Sequence, residues 1–393
     1  MRPIYYCPYC YEKITPKEIR FRCTGRKSKT GQNCPTEPDK VLQRWTGSNE
    51  RLGPVFAADG KASKAQCPTC HGETTIRVCP HCHRTLPVHF GGVSSRLIAL
   101  VGAKETGKTV FMTVLVHEMM NKIGSRFDAA MSGADDKTRE RFAGSYEGPL
   151  YRERRLLGAT TTARSSGRDP LVFRFTTEEK RRLGAAAPHH TLLSFFDTAG
   201  EDLTSDQSVE ENVRYLTAAD GIVLLLDPLQ MPGARDQAKP GTKLPAAGGV
   251  ADDPANVLER ITDLVSKVDG GAKKKISKPL AVAFTKMDTL DHGLRDSSPL
   301  RRPASQSPFF DETDSLEVHA EIQRLLDRWD GSRIDQLTSK HYQSYRYFGL
   351  SALGESPTQD NKVSDRGIRP YRVADPFLWE LSGFGAIKAQ KGS

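Results

Sequence analysis

The feature of this chain that most constrains its fold is the segment Gly102-Ala-Lys-Glu-Thr-Gly-Lys-Thr109, which fits the pattern GxxxxGK[ST]. It follows the apolar run Leu97–Val101 directly and opens a segment, Thr109–Lys122, whose pattern predicts a helix. Between a strand and a helix, such glycines let backbone N–H groups wrap phosphates, while the lysine charge meets the β and γ oxygens and the threonine hydroxyl faces Mg²⁺. The predicted phosphate-binding residues are Gly102, Ala103, Lys104, Glu105, Thr106, Gly107, Lys108, Thr109 and Val110.

Short apolar runs alternate with helical patterns along the rest of the chain. Strands are predicted at Leu171–Phe175, Leu192–Phe196, Ile222–Leu226, Leu280–Phe284 and Tyr345–Leu350, and helices at Asp206–Thr217, Pro254–Val268, Ser315–Trp329 and Asp375–Lys388. This alternation predicts an α/β fold, a three-layer sandwich with a mostly parallel sheet. Long loops are expected at about 123–170, 228–253, 289–314 and 354–373, and the second, rich in Gly, Ala and Pro, is expected to be a mobile surface insertion.

Three further motifs follow predicted strands. Asp197-Thr-Ala-Gly200 places a carboxylate where it can hold Mg²⁺ and a glycine N–H where it can meet a γ-phosphate. In Thr285-Lys-Met-Asp288, Asp288 can accept the N1–H and 2-amino donors of guanine, which adenine lacks, and Lys286 can lie along the base. Backbone N–H groups of Ser351, Ala352 and Leu353 can meet guanine O6.

With these four motifs, the sequence from about 93 to 388 resembles the Ras-like, translation-factor-related class of P-loop GTPases. The resemblance implies GTP and GDP binding with Mg²⁺ held by Thr109 and Asp197, two switch segments, and hydrolysis involving Lys108, Thr109, Gly200, the residue at position 201 and a switch threonine. Cysteine knuckles ahead of such a domain look similar to the double-GTPase families predicted in bacterial conflict systems. The implied domains are a zinc module at 1–92 and a GTPase domain with insertions at 93–393.

Two positions depart from that class. The guanine motif begins with Thr285 where the class usually has Asn, and we expect a weaker contact but the same base choice. Glu201 stands where Ras-like members have the Gln that orients the attacking water, and its charge would repel the γ-phosphate, so we predict slow intrinsic hydrolysis. The first switch should supply a Mg²⁺-binding threonine among Thr160, Thr161 and Thr162, with Thr161 preferred, near Arg152, Arg154, Arg155, Arg164 and Arg168.

All eight cysteines lie in the first 82 residues: Cys7, Cys10, Cys23, Cys34, Cys67, Cys70, Cys79 and Cys82. Clustered CxxC pairs of this number predict two structural zinc sites. The favoured arrangement joins the last two knuckles, Cys67/Cys70 and Cys79/Cys82, and leaves Cys7, Cys10, Cys23 and Cys34 for the second site. A crossed arrangement, in which Cys7 and Cys10 join one later knuckle, stays open.

Charge and hydropathy bear on partners and location. Residues 1–90 carry 15 Lys and Arg against 7 Asp and Glu, out of a formal net charge of +9 for the whole chain. Eight thiolates and two Zn²⁺ reduce the module's charge to about +4, which favours protein docking or structural capping over nucleic-acid binding. The N-terminus lacks the apolar core of a signal peptide and no apolar run approaches a membrane span, so we expect a cytoplasmic protein.

The sequence therefore predicts a GTP-hydrolysing switch that signals to a protein partner. Three alternatives remain at this stage: an ATPase or kinase that uses the same phosphate loop, a GTP-binding scaffold without turnover, and a nucleotide-gated scaffold that binds nucleic acid through the zinc module. The oligomeric state is not predicted.

Overall fold

A computed structural model describes residues 5–26, 33–88, 90–91, 96–103, 105–157, 170–179, 187–195, 213–245, 253–267, 274–358, 360 and 362–390. In chain order the strands are β1 (Tyr5–Tyr6), β2 (Lys13–Ile14), β3 (Arg20–Arg22), β4 (Glu37–Pro38), β5 (Arg51–Leu52), β6 (Val55–Ala57), β7 (Ala65–Gln66), β8 (Glu73–Thr74), β9 (Arg77–Val78), β10 (Ile98–Gly102), β11 (Ala129–Gly133), β12 (Leu171–Glu179), β13 (Ala187–Phe195), β14 (Gly221–Leu226), β15 (Leu280–Phe284), β16 (Phe310–Asp311), β17 (Tyr345–Gly349) and β18 (Ala389–Gln390).

The α-helices are α1 (Lys40–Thr46), α2 (Lys108–Glu118), α3 (Gly124–Arg126), α4 (Asp136–Arg141), α5 (213–218), α6 (Pro232–Arg235), α7 (Pro254–Ser266), α8 (Glu312–Arg328), α9 (Ser332–His341) and α10 (Asp375–Gly383). Two π-helical segments, Met119–Ile123 and Phe142–Arg152, continue α2 and α4. Short 3-10 helices lie at Pro16–Glu18, Pro228–Gln230, Met287–Thr289, Asp291–Gly293 and Pro299–Arg301. Among the residues described, no helix is both long enough and apolar enough to cross a bilayer.

The centre of the fold is a four-stranded parallel sheet in the order β10-β14-β15-β17. Every residue of β14 and β15 is buried, as expected for parallel strands covered on both faces. The runs are therefore almost entirely apolar, which explains why the sequence pattern located them to within a residue or two.

Side chains alternate between two cores on opposite faces of this sheet. Ile222, Leu224 and Leu226 of β14 face one core, which also contains residues of α5, α7, α8 and α9. Val223 and Leu225 face the other, which contains residues of α2 and α10. The mostly parallel, three-layer fold predicted from the sequence is confirmed.

A second sheet, β11-β12-β13, is antiparallel. One face of β12 and β13 joins the same core as α2, whereas Val172 and Leu192 on the other face pack against Cys7, Cys10, Cys79 and Cys82. The prediction of one long loop at 123–170 is thus wrong for its described part, because β11, α3, α4 and a π-helix lie there. Their weakly periodic sequence gave no signal, and pairing with β12 stabilises β11.

Two of the other predicted loops are more ordered than expected. The segment at 289–314 contains two short 3-10 helices, β16 and the start of α8. In the segment at 228–253, Leu229, Met231 and Ala234 are buried in the main core, so its described part, 228–245 and 253, is not a mobile surface insertion. Between α8 and β17, α9 was missed because its face is only weakly apolar. Described residues of 354–373 form no helix or named strand, in agreement with the prediction.

The predicted domain boundary near residue 92 adjoins residues 92–95, which lie outside the described part, and it stays a prediction. The contact of Val172 and Leu192 with the first cysteine cluster shows that the N-terminal segment shares a core with the antiparallel sheet.

Glu380 on α10 is a buried acid directly against the start of β14. It is 1% exposed, both carboxyl oxygens lack a hydrogen-bond partner among the described residues, and a Cβ on Gly221 would lie 2.3 Å from one of them. Burial raises the pKa of Glu380 well above its usual value of 4.5. The folded state therefore holds this proton more tightly than the unfolded state does.

We expect Glu380→Gln to make stability less dependent on pH. Because the pKa is raised on folding, the wild type should lose up to about 1.4 kcal/mol of unfolding free energy per pH unit, relative to the variant, as the pH rises above 4.5 toward the folded pKa. Urea unfolding between pH 5 and pH 8 measures this. The exposed Glu50→Gln serves as the control, and parallel pH profiles for wild type and Glu380→Gln would contradict the assignment.

Candidate nucleotide site and zinc centres

The phosphate loop connects β10 to α2. Gly107 has φ +80° and precedes the first helical residue, Lys108, and among the described residues no side chain caps this helix N-terminus. A Cβ on Gly102 would lie 2.7 Å from the carbonyl oxygen of Leu225 and 2.9 Å from the Thr106 hydroxyl, so this position requires glycine. An uncapped helix N-terminus with a positive dipole end is suited to bind phosphate oxygens.

The side chains of the loop hydrogen-bond within it. The Lys108 ammonium donates to the carbonyl oxygens of Gly102 at 2.7 Å and of Ala103 at 3.2 Å, and the Thr106 hydroxyl donates to Ala103 at 2.8 Å. Thr109, the second residue of α2, is the position that the motif assigns to Mg²⁺. The Lys108 ammonium therefore lies inside the phosphate loop, at the carbonyl oxygens of Gly102 and Ala103.

Asp288 and Ser351 meet at the other end of the site. Asp288 follows β15 and Ser351 follows β17, two neighbouring parallel strands whose carboxyl ends lie on the same edge of the sheet. The Ser351 hydroxyl donates to Asp288 Oδ1 at 2.5 Å, and burial raises the pKa of Asp288 above its usual range. The sequence predicted both residues, and the structure brings them together.

Lys286 is held by a residue that sequence reasoning missed. It adopts φ +57°, and its ammonium lies 2.6 Å from Oδ2 of Asp227, which is 1% exposed. Asp227 directly follows β14 and also accepts a hydrogen bond from the Leu229 N–H. Its position directly after a buried strand was the available signal.

Thr285 connects the two ends of the site. Its hydroxyl is oriented to the carbonyl oxygens of Thr106, at 3.1 Å, and Leu226, at 3.3 Å. The threonine at this position thus ties β15 to the phosphate loop. Whether it weakens the base contact, as the sequence suggests, stays a prediction.

A cavity of about 210 Å³ extends from the phosphate loop to Asp288. Its lining includes the predicted residues Thr106, Gly107, Val110, Thr285, Lys286, Asp288, Ser351, Ala352 and Leu353. It also includes Leu156, Leu229, Thr242, Lys243 and Glu355, which come from the insertions and carry no recognisable motif. Predicted residues Lys104, Thr160, Thr161, Thr162, Arg164, Arg168, Asp197, Gly200 and Glu201 lie outside the described residues.

The cysteines form two buried tetrads, Cys7/Cys10/Cys79/Cys82 and Cys23/Cys34/Cys67/Cys70. Sulfur–sulfur distances of 3.5–3.8 Å join members of each tetrad, close to the edge of about 3.8 Å for a tetrahedron with 2.3 Å Zn–S bonds. Both sets therefore fit Zn²⁺. The favoured pairing of the last two knuckles was wrong and the crossed arrangement is correct, because sequence spacing does not show which knuckles meet in space.

The three CPxC knuckles share one backbone turn. After the second cysteine, Tyr11, His71 and His83 have φ of +60°, +55° and +56°, and each donates its N–H to the carbonyl of the first cysteine at 2.9–3.0 Å. The turn places both thiols of a knuckle on the same side. His83 is part-buried, and its Nδ1 lies 2.8 Å from Oδ2 of Asp39.

The two centres differ in their surroundings. The Cys7/Cys10/Cys79/Cys82 centre, called here the inner centre, shares a core with Val172 of β12 and Leu192 of β13. The Cys23/Cys34/Cys67/Cys70 centre, called the outer centre, clusters only with Phe56 among the described residues.

Two comparisons match more than half of this chain to known proteins. A model of the "Double-GTPase 2" family matches residues 96–336, more than half of the chain. The "Putative ESX-1 scaffolding and assembly protein SaeC" of Mycolicibacterium smegmatis is 31% identical over 409 residues, which cover 97% of this chain and 99% of that protein.

Solved structures show weaker likeness. The signal recognition particle receptor SRb-GTP/SRX complex from Chaetomium thermophilum is 13% identical, over 68% of this chain and 95% of that one, with a TM-score of 0.31. The Arl6 BBS3 small GTPase from Trypanosoma brucei is 10% identical, over 75% and 100%, with a TM-score of 0.29. The family model and the SaeC relative, and not these structures, identify the family of this chain.

We expect Cys79→Ser and Cys67→Ser each to reduce bound zinc from two ions to one per chain. Because the inner centre shares a core with β12 and β13, Cys79→Ser should lower the Tm by at least about 5 °C more than Cys67→Ser. Elemental analysis and thermal unfolding measure the two effects. Equal losses of Tm would contradict the difference between the centres.

Proposed function

This chain belongs to the Double-GTPase 2 family, and we propose that it is a Mg²⁺-dependent molecular switch that binds GTP and hydrolyses it to GDP and phosphate. The observation that carries the proposal is the single cavity that joins the phosphate loop at Thr106 and Gly107 to the buried Asp288–Ser351 pair. A nucleoside triphosphate needs both ends at once, and a carboxylate at the base end selects guanine over adenine.

At the base end, Asp288 accepts the guanine N1–H and 2-amino hydrogens, and Ser351 orients it. The Ser351 N–H already donates to the carbonyl of Tyr371 at 3.0 Å. Contact with guanine O6 is therefore assigned to the N–H groups of Ala352 and Leu353. The Asp227 carboxylate fixes the end of Lys286, so that its stem lies along the base.

At the phosphate end, the uncapped N-terminus of α2 and Lys108 bind the β- and γ-phosphates. Thr109 and Asp197 hold Mg²⁺, with Thr161 as the switch ligand. When bound, the metal neutralises charge on the phosphate oxygens. We assign Glu201, which follows Gly200 in the sequence, to the γ-phosphate side of the site, where its negative charge would oppose attack and keep intrinsic hydrolysis slow.

We assign the output of the switch to a protein partner. The SaeC relative is named for scaffolding and assembly, and the outer centre lies apart from the cores of the fold among the described residues. Placement in a bacterial conflict system stays a prediction from the family resemblance.

Asp288→Asn should weaken GTP binding by about 100-fold or more, because the amide cannot accept both guanine donors. The wild type should prefer GTP over ATP. Titration with fluorescent guanine and adenine nucleotides measures both. Asp296→Asn, which removes an exposed carboxylate eight residues away, is the matched control. Equal affinity of the wild type for ATP and GTP would support an ATPase or kinase instead.

Glu201→Gln should accelerate hydrolysis by about 10-fold or more, because it removes the charge beside the γ-phosphate and restores a side chain that can orient water. Single-turnover phosphate release measures the rate. Glu178→Gln, at the exposed end of β12, is the control. A fast wild type that loses activity on this substitution would show that Glu201 promotes the reaction.

A further inference from the structure

The hydroxyl of Tyr215 on α5 bridges a backbone N–H of β10 and a backbone carbonyl of β13. Its side chain is fully buried, its hydroxyl accepts the Leu100 N–H at 2.8 Å, and it donates to the Ser194 carbonyl at 3.1 Å. Leu100 lies two residues before Gly102 of the phosphate loop. Ser194 lies three residues before Asp197. The tyrosine hydroxyl therefore connects the strands that lead to the two phosphate motifs.

Residues of the first knuckle of the inner centre also contact Ser194 and Tyr215. The Ser194 hydroxyl donates its one hydrogen to the Pro8 carbonyl at 2.9 Å, so the Tyr11 hydroxyl is the donor in its 2.8 Å bond to Ser194. The ring of Tyr11 packs on that of Tyr215, with centroids 4.9 Å apart. Pro8 lies between the two ligand cysteines of this knuckle, and Tyr11 follows the second one directly.

A second residue of this knuckle region contacts the start of α5. Arg214 donates to Glu12 Oε1 at 3.2 Å, and its guanidinium lies 5.4 Å from the ring centroid of Trp45. Glu12 follows Tyr11 in the chain. Consecutive residues of one zinc knuckle thus contact Ser194, just before the Asp197–Glu201 motif, and Arg214, just after the segment that carries it.

We propose that Tyr11 and Glu12 are positioning residues for the γ-phosphate side of the nucleotide site, so that the inner zinc centre is coupled to which nucleotide is bound. This inference rests on the proposed GTP-binding function. The knuckle is rigid once its cysteines hold zinc, because the metal fixes the turn that carries both residues. Their contacts set where β13 and α5 lie relative to β10.

This coupling predicts a specific thermodynamic signature. The motif Asp197–Gly200, to which the proposed function assigns contact with the γ-phosphate, follows β13 in the sequence, and GDP has no γ-phosphate. Loss of the knuckle contacts should therefore weaken binding of a GTP analogue more than binding of GDP. A purely structural role would weaken both equally. By linkage, the bound nucleotide must affect the knuckle to the same extent.

The test uses the full chain with its zinc content verified at two ions. We compare the wild type with Tyr11→Phe and Glu12→Gln, and measure the Kd of fluorescent GDP and of a non-hydrolysable GTP analogue. Tyr9→Phe is the matched control, because Tyr9 belongs to the same knuckle but its hydroxyl donates to Asp135, beside α4, at 2.5 Å.

In Tyr11→Phe and in Glu12→Gln, the ratio of the GTP-analogue Kd to the GDP Kd should rise five-fold or more, with zinc content unchanged. In Tyr9→Phe it should stay within two-fold of the wild type. The Glu12 side chain is part-exposed, so Glu12→Gln should fold. This variant therefore tests the inference even if Tyr11→Phe does not fold. Unchanged ratios in both variants, or an equal rise in Tyr9→Phe, would overturn the inference. A wild type that binds neither nucleotide would defeat the proposed function itself.

Discussion

The parallel pairing of β10, β14, β15 and β17 is the constraint on which the rest of this structure depends. Because parallel strands end on the same edge of a sheet, residues 102, 227, 285 and 351, distant in sequence, lie next to one another there. The Thr285 hydroxyl, directed to the phosphate loop, and the Ser351 hydroxyl, bonded to Asp288, then connect the strand ends into one site. The order of the strands therefore decides which side chains meet in the site.

The zinc module is integrated with the antiparallel sheet through its inner centre. Four buried thiols that can share one metal draw residues 7–10 and 79–82 together, and the resulting knuckles cover the outer face of β12 and β13. A metal centre can form such a core with few residues, because the ligand bonds replace apolar burial that a short segment cannot supply. The outer centre makes no comparable contact among the described residues.

Much of the fold could be predicted because its signals are local. The apolar runs of β14 and β15 are continuous since both faces of the sheet are covered, and the phosphate-loop glycines are required by backbone geometry at Gly102 and Gly107. The strand β11 was missed because pairing with β12, and not its own pattern, stabilises it. Asp227 looked like an ordinary residue at a strand end until its contact with Lys286 was seen.

The sequence by itself determined where the phosphate-loop motif, the guanine-type motif and the buried central strands lie along the chain, and that eight cysteines form two sets of four. Only the tertiary structure decided which cysteines share a site, that Thr285 contacts the phosphate loop, and that Tyr11 and Tyr215 lie between the zinc knuckle and β10. The physical reason is the distance along the sequence between the residues that interact. Motifs and strand patterns are set by neighbours along the chain, whereas these contacts join residues up to about 200 positions apart, whose meeting depends on packing of the whole molecule.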